Sequence, residues 1–178
     1  MKKSVAVLVL TVFGLVGCSS SKSSEQQAKS DNSSTTASAS GDGAKPTNSR
    51  DLCSEVKAAD VAAILGEEIT GAKPLSAGER YDSQFNGPTC SYPGKNGLGG
   101  AVAQTFSATR YEGEKSSPLT GEYEPMAGVG DEAFLRYDAQ GQAVISTVAK
   151  KGNDYWYIQI FRGTTPDKAA ELTRKILG

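Results

Sequence analysis

Hydrophobic and polar positions divide the chain into three unequal stretches. Val5 to Val16 is a largely apolar run without charge, preceded by Lys2 and Lys3. It is shorter than the about 20 residues that a permanent membrane-spanning helix needs. From Ser19 to about Arg50 the sequence is rich in Ser, Lys, Ala, Thr and Gly and holds almost nothing large and apolar. Such a segment cannot bury enough surface to offset its own ordering, so it is expected to be disordered, with an r.m.s. reach of about 30 Å. From Asp51 onward apolar residues recur with the periods of helices and strands, which predicts one folded domain over 51–178.

Within that domain, Val61, Ile64 and Leu65 fall on one helical face from Ala58, and Gly66 suits the residue just beyond the helix end. Ile69 to Pro74 reads as a short strand, and Ser76 to Thr89 as a polar loop. Cys90-Ser91-Tyr92 is a strand, a turn follows at Pro93 to Gly97, and Val102, Gln104 and Phe106 alternate with smaller residues in another strand. Tyr111 to Met126 reads as a long loop. Three further strands, Ala133–Tyr137, Ala143–Ala149 and Tyr155–Phe161, are separated by turn residues and predict a meander. Trp156, Ile158 and Ile160 share one face of the last strand, with Tyr155, Tyr157 and Phe161 on the other. A final helix opens with Thr165 as N-cap, Pro166 in its first turn and Asp167 at the positive end of the dipole. Its buried stripe is Ala169, Leu172, Thr173 and Ile176. The expected class is α+β: an antiparallel sheet of about five to six strands with an N-terminal and a C-terminal helix packed on one face.

The cationic start and the short apolar run have the layout of a cleaved export signal over residues 1–17. Leu15-Val16-Gly17-Cys18 resembles the lipobox of bacterial lipoproteins. That resemblance implies cleavage before Cys18, a diacylglycerol thioether on its sulfur, and residues 18–50 acting as a tether. Two acyl chains give stable membrane attachment. The implied location is extracytoplasmic, anchored to the cell membrane, or to an outer membrane where one exists.

With Cys18 taken by lipid, Cys53 and Cys90 remain as an even pair and are expected to form a disulfide in an oxidising compartment. Two distant cysteines are too few for a metal site, and no cofactor motif is present. The chain contains no histidine. This excludes Ser-His-Asp and Cys-His nucleophilic systems and histidine-ligated zinc, so the domain is not expected to be an enzyme. Charge is mixed along the chain, about −4 from Asp51 onward. A basic stripe of the kind that binds nucleic acid is missing.

Leu52-Cys53 before a helix ending in Leu65-Gly66, then Cys90-Ser91-Tyr92, Gly128-Val129-Gly130-Asp131-Glu132-Ala133-Phe134, an aromatic last strand and a terminal helix form an ordered set of short motifs. In that order they resemble a group of secreted actinobacterial lipoproteins classed as domains of unknown function. The resemblance implies a one-disulfide α+β domain at the cell surface and brings no catalytic residues.

Three stretches bear on chemistry. Ser54-Glu55-Val56-Lys57 has the Ser-x-x-Lys spacing of some acyl-transfer enzymes but lacks their Lys-Thr-Gly element, so its spacing is accidental. Gly128 to Glu132 lacks the Lys-Ser/Thr of a phosphate loop; Asp131 is expected to bond turn amides. Glu112, Glu114, Glu122 and Glu124 flank Tyr111 and Tyr123 and make a candidate partner-contact loop. The leading expectation is a lipid-anchored binding or interaction module for a protein or cell-wall partner. The alternatives are a carboxylate-based, glycan-active envelope enzyme, which needs two carboxyls about 5–10 Å apart in a cleft, and an accessory subunit of an envelope or transport complex.

Overall fold

The computed structural model describes residues 49–95, 97, 99–116, 123–137 and 144–178. Cys18, Glu122, the signal run and nearly all of the expected tether lie outside the described residues. In chain order the elements are α1 (Leu52–Glu55), α2 (Ala58–Leu65), a 3-10 turn (Ala77–Glu79), β1 (Thr89–Pro93), β2 (Gly100–Phe106) and α3 (Ala108–Ser116). Then come β3 (Tyr123–Pro125), β4 (Glu132–Tyr137), β5 (Val144–Lys151), β6 (Asp154–Phe161) and α4 (Pro166–Leu177). The strands form a 6-stranded antiparallel sheet in the order β1-β2-β6-β5-β4-β3. The α+β class and the β4-β5-β6 meander match the sequence expectation.

One apolar cluster holds Leu52 and Val56 of the α1 region, Val61 and Leu65 of α2, and Ala169, Leu172 and Ile176 of α4. From β6 it takes Trp156, Ile158 and Ile160, one side of a period-2 strand. The helix ends follow local chemistry. Gly66 closes α2 with φ of +72°, and Thr165 Oγ1 accepts from the Lys168 amide at 3.4 Å to open α4. Deep in this cluster the Thr173 hydroxyl donates to Ala169 O at 2.7 Å and lies 2.9 Å from Thr147 Oγ1, so its polar atom is satisfied. Cys53 and Cys90 form the expected disulfide, with Cα atoms 5.3 Å apart and a sequence separation of 37. Closing a loop of that size stabilises the fold by about 4 kcal/mol in the chain-entropy model.

Two expectations change. Ile69–Pro74 is not a strand: Gly71 and Pro74 limit it to single bridges, Ile69 with Gly94 and Lys73 with Ser91. These bridges shield the outer edge of β1, while the opposite edge, β3, is three residues long and ends in Pro125. Second, the Tyr111–Met126 stretch is not loop throughout, because Ala108–Ser116 is helical and Tyr123–Pro125 is strand β3. Ser107 starts α3: its Oγ accepts from the Arg110 amide at 3.2 Å, and its carbonyl accepts from Tyr111 N at 2.9 Å. The i,i+4 pair Arg110–Glu114, at 3.4 Å, supports the helix. Tyr111 anchors α3 in a second cluster with Phe106, Phe134, Val148 and Tyr157. Tyr157 alternates with Trp156 and Ile158 on β6, so α3 packs on the other face of the sheet.

Candidate functional site

The second face of the sheet carries most of the chemistry that the first cluster does not explain. Its part nearest Tyr155 and Phe106 is covered by α3 and by the segment from Leu75 to Thr89. The two ends of that segment meet, since the Leu75 amide donates to Thr89 Oγ1 at 3.1 Å. This closed-ended surface excursion is an Ω-loop in form. Near its exit, Gly87 packs so close to β2 that an added Cβ would lie 1.9 Å from Thr105 Oγ1. At its start Ser76 caps the 3-10 turn against Glu79, with N and Oγ donating to Oε2 at 3.0 and 2.8 Å. The Ser76 backbone bond, then its hydroxyl and Lys73, hold the Glu79 carboxyl below the usual carboxylate range.

Of three successive side chains, the first braces the Ω-loop internally and the other two fasten it to the domain. Arg80 Nη1 donates to the loop's own carbonyls at Phe85 and Gly87, 3.0 and 3.2 Å away. Asp82 Oδ2 accepts from Ser107 N and Oγ at 3.3 and 3.0 Å, tying the loop to the start of α3. Tyr81 lies between them. Its ring stacks on Tyr157 at 4.3 Å between centroids and 11° between planes, and the Arg110 guanidinium sits 4.5 Å above it. Its amide donates to Gln104 Oε1 at 2.9 Å, and its hydroxyl donates to Glu114 Oε1.

Glu114 is the hub. It is 6% exposed, pairs with Arg136, which is 9% exposed, and takes Arg110 and Tyr81 as further partners. A buried carboxylate persists when cations and hydroxyls satisfy its oxygens. Neighbouring Tyr157 shares a hydrogen bond with Ser146 at 3.1 Å. Tyr111 donates to Glu132 at 2.8 Å, and Lys115 pairs with the same carboxylate at 2.6 Å. Burial, followed by that carboxylate, raises the Tyr111 phenol well above its ordinary 10.0. Glu132 in turn lies below its ordinary range, chiefly through its bond to Lys115 and then through Tyr111.

Among the described residues, no helix or loop covers the rest of this face. Ser91, Val102, Gln159 and Phe161 are half-buried, and a cleft of about 320 Å³ is lined by Ser91, Pro93, Gly97, Val102 and Phe161 among others. A second cleft, also about 320 Å³, lies at the junction of the Ω-loop and α3, against Tyr81, Asp82, Ser107 and Arg110.

The described residues of the candidate contact loop do not share one surface. Tyr111 and Glu114 face inward from α3, Glu112 faces solvent, Glu124 is exposed on β3, and Tyr123 lies in the same strand. Two of the expected carboxylates, Glu114 and Glu124, are hydrogen-bonded within the fold, to Tyr81 and Tyr137 respectively. Ser54 lies in α1 whereas Lys57 is the extended residue before α2, so they do not share a helix, and Ser54 Oγ donates to Asp51 at 2.6 Å. Asp131 does accept a turn amide, that of Gly152 at 2.7 Å. Among the described residues no group of three His, Cys, Asp or Glu could hold a metal, and no helix is long and apolar enough to cross a membrane. Sequence reading missed Tyr81, Gln104, Arg110, Arg136 and Tyr157 as a group. One local signal was available, Ser107 as a cap followed by the Arg110–Glu114 spacing. No protein-family model, curated protein or solved structure matches this chain.

Proposed function

We propose that this chain is a lipid-anchored binding module of the cell envelope, tethered through Cys18, whose contact surface is the second face of the sheet. The observation that supports it most is the composition of that face. An aromatic Ω-loop latch and a buried Glu114–Arg136 pair stand beside an open cleft floored by Val102 and Phe161. Mixed aromatic and polar clefts of this kind suit recognition of another molecule.

Geometry at the tether supports the same reading. Arg50 donates to Ile176 O at 2.8 Å and lies 5.7 Å from the Trp156 ring, so the chain joins the domain near the β5–β6 turn. Strand β6 runs from Asp154, in the cleft beside Arg50, to Phe161 in the open cleft. At about 3.3 Å per residue the two lie about 23 Å apart. The cleft at Phe161 thus lies at the end of β6 away from Arg50.

Full-length protein with a photo-crosslinking residue at Gln159 or Phe161 tests the proposal in cells. Crosslinks to an envelope component are expected from these positions and not from Glu171 on α4, and they should fade when Cys18→Ala removes the anchor. Equal crosslinking from both faces, or Cys18→Ala protein that still fractionates with membranes at unchanged mass, rejects the proposal.

A further inference from the structure

Tyr81 is held by four different groups, yet it is 41% exposed, so solvent reaches the slot it fills. Each contact reads a separate feature. Tyr157 below and Arg110 above require a flat ring; Glu114 Oε1 requires a hydroxyl donor at its far end; Gln104 Oε1 requires a backbone N–H. A tyrosyl residue within a polypeptide supplies all of these together. The Gln104 side chain is 1% exposed, and its Nε2 donor has no hydrogen-bond partner among the described residues. The Tyr81 N–H fixes the amide's orientation, since it must face the oxygen. A buried donor left unmade costs about 1–3 kcal/mol. It marks a bond that Tyr81, on its own short loop, does not complete.

We propose that this slot is a recognition site for a tyrosyl residue of a partner polypeptide, which Tyr81 occupies in cis until the partner displaces it. The inference deepens the binding-module reading and rests on it. The Ω-loop is built for exchange, because its ends are pinned at Leu75–Thr89 and Gly87 while its middle is fastened mainly by Tyr81 and Asp82. An incoming tyrosyl residue would take over the stack and both hydrogen bonds. It would also offer a backbone carbonyl to Gln104 Nε2, the bond that lets it compete with an intramolecular occupant.

The test is a titration of full-length protein in detergent with N-acetyl-tyrosine methylamide, following the Gln104 side-chain amide by NMR. Tyr81→Ala, which removes the competitor, should bind at least tenfold more tightly than wild type. N-acetyl-phenylalanine methylamide should bind Tyr81→Ala about tenfold or more weakly than the tyrosine compound, having lost the bond to a charged acceptor. Should p-cresol bind as tightly as the tyrosine compound, the slot reads a free phenol and the polypeptide assignment is overturned. Tyr81→Phe keeps both ring contacts and guards against a folding defect; it should bind the tyrosine compound more tightly than wild type. Native amide dispersion in either variant without a Gln104 shift at about 10 mM ligand, the weak limit of useful affinity, also overturns it. That result would leave crosslinking at Gln159 and Phe161 untouched, so failure of the slot and failure of the binding module are separable.

Discussion

The two faces of the sheet are held by different physics. Against α1, α2 and α4 the sheet presents Trp156, Ile158, Ile160, Ala101 and Ala103, all fully or nearly buried. There burial itself stabilises, at about 25 cal/mol per Å² of apolar surface, and the disulfide fastens the same region. Against α3 and the Ω-loop the sheet presents Phe106, Tyr157, Gln104, Arg136 and Phe134, where rings alternate with an ion pair and hydrogen bonds. An apolar core tolerates loss of a contact by degrees. A polar network does not, since removing one member strands another in a low-dielectric setting. The first face is a scaffold, and the second is where specificity can be stored.

Truncating the scaffold should have the largest effect. Trp156 is 1% exposed, with the Arg50 guanidinium 5.7 Å from its ring centroid. Trp156→Ala should lose about 3–5 kcal/mol, the usual range for emptying an aromatic site. Urea unfolding would read this as a lower midpoint with an unchanged slope. A loss below about 1 kcal/mol would mean that the first cluster collapses around the cavity and is not the rigid partner in the comparison.

A smaller loss, and a different pattern, is expected on the second face. Arg136→Met leaves Glu114 buried without its main cation, a change that costs about 3–5 kcal/mol when no other partner is at hand. Arg110, 3.4 Å from Glu114, and the Tyr81 hydroxyl remain, so the loss should fall near about 3 kcal/mol. The double variant Glu114→Leu/Arg136→Met should recover most of it, because two apolar groups replace two charges that satisfied each other. Additive losses in that double-mutant cycle would show that the pair is not coupled, and the second face would then be an apolar core like the first.

These differences also decide what could be read from the sequence. The scaffold announces itself by period: Val61 and Leu65 at helical spacing, Trp156, Ile158 and Ile160 at strand spacing, Leu172 and Ile176 on the α4 stripe. The cysteine pair follows from counting. Residues of the second face have no common period, because Tyr81, Gln104, Glu114, Arg136 and Tyr157 come from five separate elements or loops. They meet only through tertiary packing. Helix α3 was hidden for a related reason. Its only buried side chains are Tyr111 and Glu114, Gly113 interrupts it, and no apolar stripe marks it. The long Tyr111–Met126 stretch therefore read as a loop, and its glutamates as a surface, when Glu114 is a core residue.

The finest contrast lies in how each face responds to alkali. Tyr92 in the first cluster and Tyr111 in the second both have phenols raised above the ordinary 10.0, each mainly by burial. A folded-state pKa above the unfolded one means that the native protein keeps a proton the unfolded chain has released. Stability is therefore full below about pH 10 and falls as pH rises through that value toward the folded pKa. Tyr92→Phe and Tyr111→Phe should each flatten this alkaline limb. Only Tyr111→Phe should also alter the acid side, because its hydroxyl is one of the groups holding the Glu132 carboxyl low. A depressed carboxyl stabilises above its unfolded pKa and loses that effect as pH falls through the folded pKa. Removing the Tyr111 hydroxyl should then lower neutral-pH stability by about 1 kcal/mol or less, with Lys115 retaining the rest of the effect. Stability measured from pH 3 to 11 on both variants decides the matter. If Tyr92→Phe moves the acid limb as much as Tyr111→Phe does, the polar coupling assigned to the second face is not confined to it.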